Sequence, residues 1–224
     1  MIKLCIFDLD GTVADTINSI AFFANQSLKK FGLPTIETQV YRKIVGNGVD
    51  ALIKNMIEIS NGTQEDYLNV REHYIREYND NFLYLTKPYD DIPELLEKLK
   101  AFGIKVAILS NKPHQTTVQI AAELFGDTVD LCYGACQERP LKPDPSAVFE
   151  IMDKFDVKAK ECVYIGDTET DMLTGKNASV FTVGVLWGFR DFAELNNAQA
   201  DRIIKFPLEL IDIIQFLNSD FEIC

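Results

Sequence analysis

The stretch IKLCIFDLDGT, residues 2–12, joins an apolar run to two acids spaced two apart, then a glycine and a threonine. The run is short, rich in branched residues and closed by a turn signal, so it reads as a buried strand. A period of two turns Asp8 and Asp10 the same way. Two acids held together repel, and one is driven toward protonation unless a cation holds them both. Turn or capping acids are the plainer reading of the pair. What the rest of the chain brings to this strand end decides between the two.

Four more apolar runs have the same character: IKVAILS (104–110), VDLCYGA (129–135), ECVYIGD (161–167) and VFTVGVLWG (180–188). Between them lie helical spacings. Ile92, Leu95, Leu96 and Leu99 fall at i, i+3, i+4, i+7 with Pro93 in the first turn. Val148, Ile151, Met152 and Phe155 repeat the spacing behind Asp144 as N-cap and Pro145 as first helical residue. Helix alternating with buried strand predicts a doubly wound, Rossmann-like α/β core with a parallel sheet.

From residue 15 to about residue 84 the pattern changes to three or four helical segments with no strand. Ile17, Ile20, Ala21, Ala24 and Leu28 make one apolar face, and Tyr67, Val70, Tyr74 and Tyr78 another. The expected organisation is therefore a core of residues 1–14 and 85–224, with residues 15–84 inserted after the first strand as a helical cap. Ligands bind outside the carboxyl ends of such strands, so the insert is expected to roof a site. The segments at 13–16 and 84–88 are the candidate hinges.

The chain has 224 residues, 47% of them hydrophobic and 25% charged, which suits a globular protein with a real core. Its apolar runs fall short of a membrane span, and acids follow the first apolar run too soon for a signal peptide, so a cytoplasmic location is expected. Cys5, Cys132, Cys136, Cys162 and Cys224 read as free thiols; Cys132 and Cys136 have no second pair to complete a zinc site. A formal charge of -12 argues against nucleic acid or an anionic membrane as partner. An anionic substrate would need local positive charge, and a metal ion is the obvious source.

Three further groups converge on the strand ends. The second strand closes on Ser110-Asn111-Lys112 and presents a hydroxyl. Lys142 precedes Pro143, which favours an extended backbone and projects the ammonium from a loop. Asp167 closes the strand of GDTETD, and Asp171, four residues on, lies in the first turn of the next helix, where both carboxylates can face one side. Helix capping by Thr168 or Thr170 is the plainer account of that segment. Oxygen ligands of this kind suit Mg²⁺, leaving one carboxylate to attack phosphorus and another to move a proton.

DLDGT, the serine of LSNKP, the lysine of LKPDP and GDTETD occur in this order, and in them the chain resembles the haloacid dehalogenase-like superfamily of phosphohydrolases. DGTVADT, VGNGVDAL and VGVLWGF resemble its phosphoglycolate phosphatase-like group more closely. The resemblance implies that Asp8 is the nucleophile and a Mg²⁺ ligand. It makes Asp10 the acid/base, with its backbone carbonyl touching the metal, and assigns Ser110 and Lys142 to the phosphoryl oxygens. Asp167 would ligate Mg²⁺, and Asp171 would support the metal directly or through water. Thr12 and Asn111 are expected beside the substrate. The intact DxD favours phosphoryl chemistry over carbon–halogen cleavage.

The predicted activity is Mg²⁺-dependent hydrolysis of a small phosphorylated metabolite, phosphoglycolate-like or a sugar phosphate. A sugar phosphomutase or pyrophosphatase on the same scaffold is the nearer alternative, and a phospho-accepting receiver module the more remote one. GNGVDA (46–51) imitates a dinucleotide fingerprint, but lacks a clear strand before it and reads as a glycine-rich helix start. Gly46, Asn47 and Gly48 are expected to help recognise an anionic substrate from the insert. His114 is expected near the rim or at a solvated helix start, and His73 on a helix surface.

Overall fold

In the computed structural model, which describes residues 1–220, β1 (Leu4–Phe7) lies inside a six-stranded sheet. Its neighbours are β4 (Lys105–Pro113) and β6 (Cys162–Gly166), both parallel to it, with Phe7 opposite Ile108 on one side and Ile165 on the other. Beyond β4 lies β5 (Leu131–Ala135); beyond β6 lie β7 (Phe181–Val185) and β8 (Arg202–Ile204). The chain builds outward from β1 on one side, then crosses back to build the other. The crevice where it reverses, between β1 and β6, is where such sheets bind ligands.

The strands are apolar throughout because both faces are covered. Cys5 and Phe7 of β1 pack with Leu95, Leu96 and Leu99 of α5 (Ile92–Ala101), Ile120 of α6 (His114–Phe125), and Leu210 and Ile214 of α10 (Glu209–Asp220). Leu4 and Ile6 face the other way, onto Val148, Ile151 and Met152 of α7 (Ser146–Lys154). Each fully buried side chain of this size contributes roughly 1.5–3 kcal/mol before entropy is charged against it. Helix α7 begins one residue later than its sequence suggests. Asp144 Oδ1 accepts the Ser146 amide at 2.9 Å, so the capping acid acts from in front of Pro145.

The helical stretch contains four helices among the described residues: α1 (Ile17–Lys30), α2 (Thr38–Ile44), α3 (Val49–Ile59) and α4 (Gln64–Asp80). They share a hydrophobic cluster of their own, in which Ile20, Ala24 and Leu28 of α1 meet Ile53 and Met56 of α3 and Val70, Tyr74 and Tyr78 of α4. The chain enters this stretch through β2 (Ala14–Asp15) and leaves through β3 (Lys87–Pro88), two short strands paired antiparallel. The segment before GNGVDA is thus helix α2, and no strand precedes the glycines.

Cys5 and Cys162 are buried free thiols; Cys132 and Cys136 are also free but only half-buried, and Cys224 lies outside the described residues. His73 departs from its expected surface position: it is half-buried, with Nδ1 3.0 Å from Ser27 Oγ on α1. His114 turns to β5, where its Nδ1 accepts the Gly134 amide at 3.2 Å. No helix among the described residues is long and apolar enough to cross a membrane.

Candidate active site

Asp8 follows directly on β1 and Asp167 directly on β6, so the two acids flank the reversal crevice. Asp171 joins them from the first turn of α8 (Glu169–Asn177). All three are buried, and each offers a carboxylate oxygen within 4.8 Å of the others. The capping and clustering readings of Asp171 are realised together by different oxygens. Oδ2 accepts the Thr168 amide at 3.0 Å and its hydroxyl at 2.6 Å, whereas Oδ1 meets Lys142 Nζ at 2.7 Å.

Lys142 is no surface charge. Its side chain is 3% exposed, and its ammonium also lies 2.9 Å from Asp8 Oδ1. Asn111 holds the loop: its Oδ1 accepts the Lys142 amide at 2.8 Å, and its Nδ2 donates to the Lys142 carbonyl at 3.2 Å and the Gly46 carbonyl at 3.1 Å.

One ammonium, paired with Asp8 and Asp171, therefore stands beside a cluster of three buried carboxylates among the described residues. Burial first, then Asp171 and Asp10, pushes the Asp8 carboxyl up to about 7, against the pull of Lys142. Burial and the Asp171 and Asp8 charges hold Asp167 well above the carboxylate range, despite bonds from the Phe189 amide and Thr12 hydroxyl. Burial works against the Lys142 ammonium, but Asp171 and Asp8 outweigh it and hold its pKa well up. A divalent cation resolves this imbalance. The donors are hard oxygens and the cluster carries excess negative charge, so Asp8, Asp167 and Asp171 fit a hard divalent cation.

Glycines make room for these acids. Gly11 has φ +87°, and a Cβ there would stand 2.3 Å from Asp167 Oδ2; a Cβ on Gly188 would stand 2.3 Å from Asp167 Cβ. Thr12 turns its hydroxyl onto Asp167 Oδ1 at 3.0 Å and so supports that acid. The Phe189 amide donates to Asp167 Oδ2 at 2.7 Å, while the Phe189 ring packs in the hydrophobic cluster of the four helices.

Asp10 sits apart from the three acids. Thr16 donates to its Oδ1 at 2.7 Å, and Lys112 Nζ lies 3.0 and 3.1 Å from its two oxygens, with the ammonium 4.5 Å from the centre of the Tyr78 ring. Burial opposes the Lys112 charge, but Asp10 overcomes it and raises its pKa. Strand β4 continues beyond Ser110 to Pro113, with its register against β5 interrupted after Leu109. This carries Ser110, Asn111 and Lys112 to one cavity with Asp8 and Asp10. Gly46 and Gly48 line the same cavity; Asn47 instead accepts the Thr170 hydroxyl at 3.0 Å.

Three partners escaped sequence reasoning: Phe189, whose amide meets Asp167, and Lys112 and Arg190. Lys112 lies in the same motif as Ser110, but its partner Asp10 is 102 residues away and no local spacing encodes the pairing. Arg190 has no spacing signal. Its buried guanidinium donates to the carbonyls of Arg42, Lys43 and Val45 at the end of α2 and pairs with Glu169 at 3.1 Å.

Fold and site define an α/β protein of the 3-2-1-4-5-6 doubly wound kind, with a buried hard-oxygen acid cluster at the sheet reversal and helices over it. The sequence model for the haloacid dehalogenase-like hydrolases matches residues 5–185, and the chain belongs to that family. Within it the chain falls in the phosphoglycolate phosphatase-like group. It is 31% identical over 214 residues to the phosphoglycolate phosphatase of Aquifex aeolicus (strain VF5), covering 95% of this chain and 96% of the relative. The Vibrio parahaemolyticus phosphoglycolate phosphatase is 31% identical over 221 residues, at the same coverage. A crystal structure from Lactobacillus delbrueckii subsp. bulgaricus superposes with a TM-score of 0.91 at 27% identity, covering 95% of this chain and 98% of that one.

Proposed function

We propose that this phosphoric monoester hydrolase is Mg²⁺-dependent, acts on a small phosphorylated metabolite, and works through an aspartyl-phosphate on Asp8. The observation that carries the reading is the buried triad of Asp8, Asp167 and Asp171, with Lys142 bridging Asp8 and Asp171, beside a cavity that reaches Asp8, Asp10 and Ser110. Mg²⁺ held by Asp8, Asp167 and Asp171, with the Asp10 carbonyl, would neutralise the carboxylates and the incoming phosphoryl oxygens.

The residues then divide the chemistry. An Asp8 oxygen attacks phosphorus, the ester P–O bond breaks, and the departing alkoxide takes a proton from Asp10. Water next attacks phosphorus and gives its proton to Asp10, the bond to Asp8 breaks, and inorganic phosphate leaves. Ser110 and Lys142 hold the phosphoryl oxygens throughout; Lys142 also screens the charge on Asp8. Asn111 fixes the Lys142 loop to Gly46 and so registers the insert against the core.

Residues 15–84 act in this reading as a cap that opens for exchange and closes during attack, with residues 13–16 and 84–88 as hinges. The β2–β3 pair supports this, because both connections cross together there. Gly46 and Gly48 bring backbone to the substrate side of the cavity, and the cytoplasm is the proposed compartment.

Phosphate release from a panel of monoesters, with and without Mg²⁺, tests the reading. Asp8→Asn is expected to lower kcat by roughly 10³-fold or more, and excess chelator to abolish turnover. Full activity in either case overturns the proposal.

A further inference from the structure

The short loop that follows β7, residues 187–190, meets the core, the acid cluster and the helical insert in succession. Trp187 Nε1 donates to the Thr12 carbonyl at 2.8 Å, which fixes the loop to the turn after Asp10. Gly188 lies against Asp167, and its carbonyl accepts Arg42 Nη1 of α2 at 3.2 Å. Phe189 faces both ways. Its amide donates to Asp167 Oδ2 at 2.7 Å, while its buried ring packs among the four helices. Of the described residues in that hydrophobic cluster, Phe189 alone comes from beyond residue 84. Arg190 then donates to the carbonyls of Arg42, Lys43 and Val45.

An amide is only as well placed as the backbone that carries it. Here that backbone is set by the seat of the ring among the helices and by the bonds of its two neighbours to α2. Asp167 takes one outer hydrogen bond from the core, the Thr12 hydroxyl, and one from this loop, the Phe189 amide. Such outer partners orient a metal-binding carboxylate, and their loss typically costs about 10- to 100-fold in metal affinity.

From this arrangement we infer that Phe189 is a positioning residue that couples the seating of the helical insert to the metal affinity of Asp167. The inference rests on the Mg²⁺ reading above and goes beyond it: the insert contributes no ligand, yet it sets how tightly the cation is held. Linkage makes the effect reciprocal, so the bound cation in turn steadies α2 against the core. Val45 and Gly46, just past the end of α2, line the substrate cavity, so contacts made there reach the metal site through the same helix.

Titration calorimetry with Mg²⁺ on the full chain, without substrate, tests the coupling. Phe189→Ala keeps the amide and every ligand but empties the ring's seat, and is expected to weaken Mg²⁺ binding roughly tenfold. Met56→Ala opens a cavity in the same cluster, on α3, and is expected to stay within about twofold of the wild type. Arg42→Gln removes one donor from the Gly188 carbonyl at a half-buried position; it is expected to weaken binding roughly threefold, and it decides if Phe189→Ala does not fold. In hydrogen exchange of the wild type, saturating Mg²⁺ is expected to slow the amides of α2 several-fold more than those of α10. Wild-type affinity in both loop variants, an equal loss in Met56→Ala, or protection of α2 no greater than that of α10 overturns the inference and leaves the Mg²⁺ reading standing. No Mg²⁺ binding by the wild type overturns both.

Discussion

Asp8 carries a folding cost as well as a chemical role. Burial, with Asp171 and Asp10 nearby, raises its folded pKa to about 7, against about 4 in an unfolded chain. The folded state therefore disfavours its ionised form, and the stability this group contributes is present below about pH 4 and lost as pH rises through about 7. In chelator the wild-type melting temperature is expected to fall across that window relative to Asp8→Asn, whose profile should be flatter. Mg²⁺ is expected to raise the wild-type Tm more at pH 8 than at pH 5, because metal competes with protons for the carboxylates. A Mg²⁺ effect independent of pH sinks this account. Gly188 supplies a separate check. A Cβ there collides with Asp167 Cβ at 2.3 Å and the Gly11 carbonyl at 2.4 Å, so Gly188→Ala is expected to weaken Mg²⁺ binding roughly 10- to 100-fold while removing no ligand, as read by metal titration.

At the scale of elements, Arg190 clamps the end of α2 to the core. Its side chain is 5% exposed and donates to the carbonyls of Arg42, Lys43 and Val45 at the end of α2, whereas its partner Glu169 is 46% exposed. Arg190→Gln takes this donor from the buried Val45 carbonyl and from the part-buried Arg42 and Lys43 carbonyls, and is expected to cost about 1–3 kcal/mol in urea unfolding. Glu169→Gln is expected to cost under about 1 kcal/mol, since the guanidinium keeps its carbonyl acceptors. Equal costs for both variants contradict this division. The same contrast explains what the sequence makes legible. Buried strands and amphipathic helices announce themselves by local period, so β1, β4, α5 and the faces of α1 and α4 read directly. The acids, Ser110 and Lys142 read through their places at strand ends and turns. Arg190, Lys112 and Phe189 act through partners distant in the chain, and no local spacing encodes such a pairing. Strand β8 is equally silent, being three residues long with one buried.

For the whole molecule, the contacts of the helices with the core include the Asn47–Thr170, Asn111–Gly46 and Thr116–Asn79 hydrogen bonds, the Phe189 ring and the Arg190 clamp, while the chain crosses at β2 and β3. If the insert must swing between turnovers, fastening it at the site stops the cycle. An Asn47→Cys/Thr170→Cys double variant is expected to lose most of its turnover on oxidation and regain it on reduction. Undiminished turnover in the crosslinked protein, with the bond confirmed by mass, contradicts a moving cap. The sheet order also bears on how the protein is made. Asp8 leaves the ribosome well before Lys142, Asp167 and Asp171, the groups that define its surroundings, and before Phe189, whose amide steadies Asp167. A nascent chain therefore carries its central strand without its flanking strand β6, and Asp8 in water at an ordinary acidity. In the proposed mechanism, reactivity is therefore switched on late, by completion of the sheet.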